Sequence, residues 1–159
     1  MKKNTKISIL FSATLLVVAA STSAFSQSRF SKSELSINGF RNPSVGLEYR
    51  HKQLSYHAGY YPTAFASGEN TNFLKVGATA WFLPVGKKEN PSSFYAGASY
   101  LRGFNRDYDG KNALGLETGF RWMVWKGLNL RIGVIAVAAS GESLKINPTP
   151  GISYSFFFK

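Results

Sequence analysis

The chain has 159 residues, with six prolines and fifteen glycines scattered along it rather than gathered into a linker, which suits a single domain. It has no cysteine, which excludes a disulfide framework, a thiolate metal site and a thiol-borne lipid anchor. Its formal charge of +11 raises nucleic acid as a partner, but the lysines and arginines are spread singly, without a basic stripe, and no nucleic-acid partner is expected.

The N terminus reads as an export signal. Lys2, Lys3 and Lys6 form a basic start, an apolar run occupies 7–20, and small residues close it in "STSAFSQ". Cleavage is expected after Ala24 or Ser26, with the second preferred, so that 1–26 is a removed signal and 27–159 the mature domain. A retained membrane helix would need roughly 20 apolar residues, and this run is shorter. Loss of three lysines lowers the net charge from +11 to +8.

Eight segments follow in which every second residue is apolar, separated by clusters of Gly, Pro, Asn, Asp and Ser. They cover 34–40, 44–50, 54–61, 73–83, 94–103, 113–124, 128–139 and 151–158. In a strand, alternate side chains face opposite sides. Val45, Leu47 and Tyr49 therefore oppose Gly46, Glu48 and Arg50, and Leu74, Val76, Ala78 and Ala80 oppose Lys75, Gly77 and Thr79. In "GLETGFRWMVW" (115–125), Leu116, Thr118, Phe120, Trp122 and Val124 oppose Gly115, Glu117, Gly119, Arg121 and Met123. In the next segment Leu128, Leu130, Ile132 and Val134 oppose Asn129, Arg131 and Gly133. One face carries no charge.

Two barrels produce such alternation. A soluble lipocalin-like barrel turns its apolar face inward and needs a charged exterior, whereas a membrane barrel turns its apolar face to lipid. The polar face here holds few charges, interleaved with glycines, which suits a narrow lumen of about eight strands. The expectation is an all-β, eight-stranded antiparallel up-and-down transmembrane barrel with a polar, side-chain-filled lumen. Its lumen network is expected to comprise Glu48, Arg50, His57, Lys75, Glu117, Arg121, Asn129 and Arg131, with Ser55 and Thr79 on the same face. Glu117 and Arg121 lie about 13 Å apart along one strand, so their partners must come from other strands.

Connection lengths suggest both termini on the periplasmic side. "HKQ" and "WKG" are tight, while 62–72, 104–112 and 140–150 are longer and polar. A three-residue loop at 125–127 would set Val124 opposite Leu128 and Arg121 opposite Arg131, with Glu48 or Glu117 reaching across to the two arginines. Tyr60, Tyr61, Trp81, Phe82, Phe94, Tyr100, Phe104, Trp122 and Trp125 lie near strand ends, as interfacial girdles require.

The ending "GISYSFFFK" places Ile152, Tyr154, Phe156 and Phe158 on one lipid face. It resembles the terminal assembly signal of bacterial outer-membrane barrels, which implies contact with the outer-membrane insertion machinery; those signals usually finish on the aromatic residue, and here Lys159 follows. With the export signal and eight strands, the chain resembles the small barrel proteins of the OmpA transmembrane-domain and OmpX-like kind. The resemblance implies an outer-membrane location.

Three functions are compatible with this reading: a non-enzymatic envelope barrel acting through its outer loops, a narrow channel or a subunit of an envelope complex, and a lipid A-modifying enzyme. Arg41, Arg102, Arg106, Lys111 and Lys145 on the outer rim could meet lipopolysaccharide phosphates, or serve as ordinary loop charge offset by Glu69, Asp107, Asp109 and Glu142. An enzyme would need a base beside a nucleophile, but His51 lies in a periplasmic turn and His57 in the lumen, away from Ser67, Ser140 and Ser143 in the loops. "DYDGKN" (107–112) reads as a turn rather than a calcium loop, since it lacks the later bidentate Glu. No phosphate loop, dinucleotide fingerprint or zinc spacing is present, and no cofactor is expected.

Overall fold

The computed structural model describes residues 30–66 and 69–158, so the expected export signal at 1–26 lies outside the described residues. Among the described residues, apart from one 3-10 turn at Arg106–Tyr108, the regular structure is all β: β1 (Ser33–Asn38), β2 (Val45–His51), β3 (Leu54–Ala66), β4 (Glu69–Val85), β5 (Ser92–Gly103), β6 (Asn112–Trp125), β7 (Leu128–Ala139), β8 (Lys145–Pro148) and β9 (Gly151–Phe158). Every pairing is antiparallel, in the order β6-β5-β4-β3-β2-β1-β9-β7-β8, and the additional β6–β7 pairing closes the sheet into a ring.

The ninth segment does not add a ninth stave. β8 and β9 both pair with β7 and share one register: Val134 faces Pro148 and Arg131 faces Gly151, with two residues between on each side. The Thr149 N–H still donates to the Gly133 carbonyl at 2.8 Å. Pro148 and Pro150 cannot donate, so the ladder is interrupted without being shifted. The last stave therefore begins inside 140–150, which the sequence presented as loop.

Two further expectations are corrected. The connection read at 62–72 is mostly strand, because Pro62, Thr63 and Ala64 pair with Asn72, Thr71 and Asn70. The 125–127 turn is a two-residue turn, with Trp125 rather than Val124 opposite Leu128 and a register shift at Val124. Lys126 and Gly127 both take positive φ, 39° and 147°, as turns matched to the strand twist require. Arg121 does face Arg131 as expected.

Ser33 faces Phe158, so the start of β1 and the end of β9 share one end of the ring with the turns at 52–53 and 126–127. Segments 39–44, 104–111 and 140–144 lie at the other. Alternation holds around the ring: Ile37, Leu47, Leu74, Leu116, Ile132 and Ile152 are exposed, and Glu34, Glu48, Lys75, Glu117, Arg131 and Ser153 are buried.

Candidate functional site

The interior of the ring is crowded with charge, and each charge is paired across strands. Near the terminus end, Glu34 of β1 is the hub. One oxygen accepts from Arg121 Nη1 at 2.8 Å and from the Ser36 hydroxyl at 3.1 Å. The other accepts from Arg50 Nε at 2.8 Å and from Arg50 Nη2. All three ionic side chains are almost fully buried. Arg50 also donates to the Lys52 carbonyl at 2.7 Å, which ties the hub to the first tight turn.

One layer further in, Glu48 accepts from Arg131 Nη2 and from the Ser55 hydroxyl, both at 2.6 Å. Ser55 accepts in turn from the Trp81 indole N–H at 2.8 Å. Both arginines lie over the Trp81 ring, the Arg121 guanidinium 4.4 Å from its centroid and the Arg131 guanidinium 5.1 Å. A cation over an indole face gains electrostatically, and more so away from water. Asn129 steadies the layer, donating to the Ser155 hydroxyl at 3.0 Å and accepting from Arg131 Nε at 3.4 Å.

A third cluster joins Lys75 to Glu117 at 2.6 Å, with a second Lys75 proton going to the Pro43 carbonyl at 2.8 Å. His57 Nε2 lies 3.1 Å from the Ser99 hydroxyl and 3.9 Å from Glu117 Oε1. Both neighbours meet the same ring nitrogen, so the three do not form a nucleophile–base–orienter relay. The segment before β2 folds inward here: Asn42 donates to Tyr95 OH at 2.5 Å and to the Thr149 carbonyl at 2.9 Å.

The far end of the interior departs from the expected polar filling. Tyr61, Phe73, Leu101, Ala113, Ile135 and Val137 form a buried apolar cluster, capped by Tyr108 from the 3-10 turn. A Cβ on Gly103 would run into the Tyr108 carbonyl, so this close approach requires glycine. Burial, with Glu142 and Asp107 nearby, raises the pKa of the Tyr108 hydroxyl. Parity marks these inward positions, since Phe73 shares a face with Lys75 and Val137 with Arg131, but their apolar character disguised them.

The structure buries all eight expected residues in the interior but in three clusters rather than one network, Arg50 and Arg121 meeting only through Glu34. Glu34 was missed, although it shares parity with Ser36 and Asn38. Tyr61 and Trp81 are corrected from girdle to interior: Trp81 is only 2 % exposed and shares the face of Lys75 and Thr79. Tyr60, Phe94, Tyr100, Phe104, Trp122 and Trp125 do lie outside. On the rim, Arg106 pairs with Glu69 at 3.1 Å, Lys111 with Glu142 at 2.5 Å, and Arg102 donates to Asn112 at 2.6 Å. Arg41 stacks on Phe40, and Lys145 lies in β8. Ile152, Tyr154, Phe156 and Phe158 share the exposed face of β9.

Chemically, this interior is a lock. Separating a buried ion pair leaves a desolvated charge, whose cost exceeds that of most other single changes. Among the described residues no group of three or more His, Cys, Asp or Glu could hold a metal ion. No family model, curated protein or solved structure matches this chain.

Proposed function

We propose that the chain is an integral β-barrel of a bacterial outer membrane, exported and inserted with both termini on the periplasmic side. It acts without catalysis, as a structural or surface-interaction element of the envelope, through the loops at the end opposite its termini. The observation that carries this reading is the inversion of polarity: ion pairs occupy the interior while Leu, Ile, Val, Tyr and Trp cover the outside. Soluble monomers rarely expose apolar surface on that scale, and hydrocarbon is the solvent that suits it. A closed ring also satisfies the second demand of a bilayer, that backbone hydrogen bonds be made within the protein. A soluble lipocalin-like binder would need the opposite distribution.

The filled interior favours a closed barrel over a channel, since paired side chains and the apolar cluster occupy its length. His57, shut in beside Ser99 and Glu117, weighs against a lipid-modifying enzyme. At the loop end, Arg41 and Lys145 are cations without a carboxylate partner among the described residues, and lipopolysaccharide phosphates are the candidate ligand for them. The insertion machinery is the proposed transient partner of the β9 aromatic face.

The test is heat-modifiability. The chain is expressed with its signal in a Gram-negative host, and outer-membrane fractions are compared boiled and unboiled on SDS gels. A faster unboiled band in that fraction supports the membrane barrel. A single mobility, with the protein soluble in the periplasm, would overturn it in favour of a soluble ligand-binding barrel.

A further inference from the structure

The two ends of the ring differ in charge. At the loop end, Arg41, Arg102, Arg106, Lys111 and Lys145 are accompanied by Glu69, Asp107, Asp109 and Glu142, and two of the cations are ion-paired. At the terminus end, Lys32, Lys52, Lys87, Lys88 and Lys126 are all exposed, and the described carboxylate beside them is Glu89. None of these six forms an ion pair among the described residues, whereas every interior charge does.

Part of that basic end is shaped. A cleft of about 170 Å³ lies between the β4–β5 connection and the β6–β7 turn, lined by Lys88, Asn90, Met123, Trp125, Lys126 and Phe157. The register shift at Val124 frees backbone carbonyls there, and the Lys88 ammonium donates to Met123 O at 2.7 Å and Val124 O at 3.1 Å. An ammonium has three protons, so Lys88 is held in place with one still to give and with its charge unneutralised. Lys126 extends over the Trp125 ring, 5.1 Å from its centroid. The side-chain carbonyl of Asn90 is buried and accepts no hydrogen bond among the described residues. Trp125 offers an exposed apolar wall, and Trp122 and Phe158 are likewise exposed, while the half-buried Phe157 lines the cleft from the inward-parity face of β9.

We propose that this cleft binds the headgroup of an anionic, hydroxyl-bearing phospholipid of the phosphatidylglycerol class, in the leaflet on the terminus side. The phosphodiester takes the remaining Lys88 proton and the Lys126 charge, a headgroup hydroxyl donates to Asn90, and the acyl chains run along the Trp125 wall. An amine headgroup would bring a further cation among lysines that lack counter-charge. The inference rests on the membrane reading proposed above. An anionic leaflet attracts each nearby lysine by about fivefold in partition, roughly 1 kcal/mol.

The test reconstitutes the full chain and its K88Q/K126Q variant in phosphatidylcholine bilayers containing a minor share of phosphatidylglycerol, with brominated acyl chains on one lipid or the other. Tryptophan quenching reports the relative affinity of the two lipids, because Trp122 and Trp125 are exposed while Trp81 is buried. The expected result is a several-fold preference of the wild type for phosphatidylglycerol, falling to near equality in the variant. Equal quenching of the wild type by both lipids, in samples that show the heat-shifted folded band, would overturn the lipid site and leave the barrel standing. Loss of the preference on adding inorganic phosphate at constant ionic strength would assign the cleft to a free anion and overturn the lipid. Absence of a heat-shifted band in any bilayer would sink both readings.

Discussion

Arg121 and Arg131 stand directly opposite each other on β6 and β7, yet their charges leave in different directions, Arg121 to Glu34 and Arg131 to Glu48. Trp81 is stacked against both guanidinium groups. Two like charges side by side in a buried interior are tolerable only because each has its own carboxylate and a shared aromatic face.

Glu34→Gln should therefore be among the most damaging single changes, since it leaves Arg50 and Arg121 without their common anion. Breaking a buried pair costs about 3–5 kcal/mol. Urea unfolding of the refolded protein, followed by band shift, checks this; a loss below about 1 kcal/mol would mean that water reaches the hub.

Trp81→Phe keeps an aromatic face but removes the indole N–H that Ser55 accepts. A loss of about 1–3 kcal/mol is expected from the lost bond and the smaller ring. The measurement is the same unfolding series. If Trp81 faced lipid, as strand-end aromatics commonly do, the change would be close to neutral.

Gly119 faces Gly133 across β6 and β7, and a Cβ on it would meet the Gly133 Cα at 2.6 Å as well as the Ile132 carbonyl and the Tyr95 hydroxyl. Gly119→Ala should cost about 1–3 kcal/mol through forced displacement. Gly39→Ala, whose nearest neighbour would be Ile152 at 3.6 Å, is the control expected to be nearly neutral. Equal effects would remove the crowding explanation.

Leu116 is exposed in the middle of β6, where water would accept a lysine freely. On the proposed lipid face Leu116→Lys should instead cost about 2–4 kcal/mol, measured by unfolding from vesicles. A neutral result would count against hydrocarbon as the surroundings of this face.

Tyr108 covers the apolar cluster with a hydroxyl that has no hydrogen-bond partner among the described residues, and burial raises its pKa. A group whose folded pKa is raised gives stability that is present below the unfolded value, about 10 for Tyr, and is lost as pH rises through the folded one. Docking of the 104–111 segment, followed by proteolysis, should thus weaken at alkaline pH. Tyr108→Phe should abolish that dependence while leaving neutral-pH stability within about 0.5 kcal/mol.

Alternation is a local property, because neighbouring residues on a strand must point to opposite faces whatever the strand packs against. The sequence by itself therefore determined the inward face of most strands, and the opposition of Arg121 and Arg131 survived because the extra residue at Val124 restores the register that the shorter turn would have shifted. Where an inward residue was itself apolar or aromatic, as with Trp81, Tyr61 and Phe73, parity still placed it inside, but its chemistry suggested otherwise. Which charge meets which was decided by the closed ring alone. Glu34 reaches Arg121 across 87 positions of chain, and only the curvature of the sheet brings β1 against β6. The split last stave and the basic cleft at the terminus end were likewise tertiary outcomes: the first required β7 as a template for a proline-broken strand, and the second required two turns distant in sequence to meet.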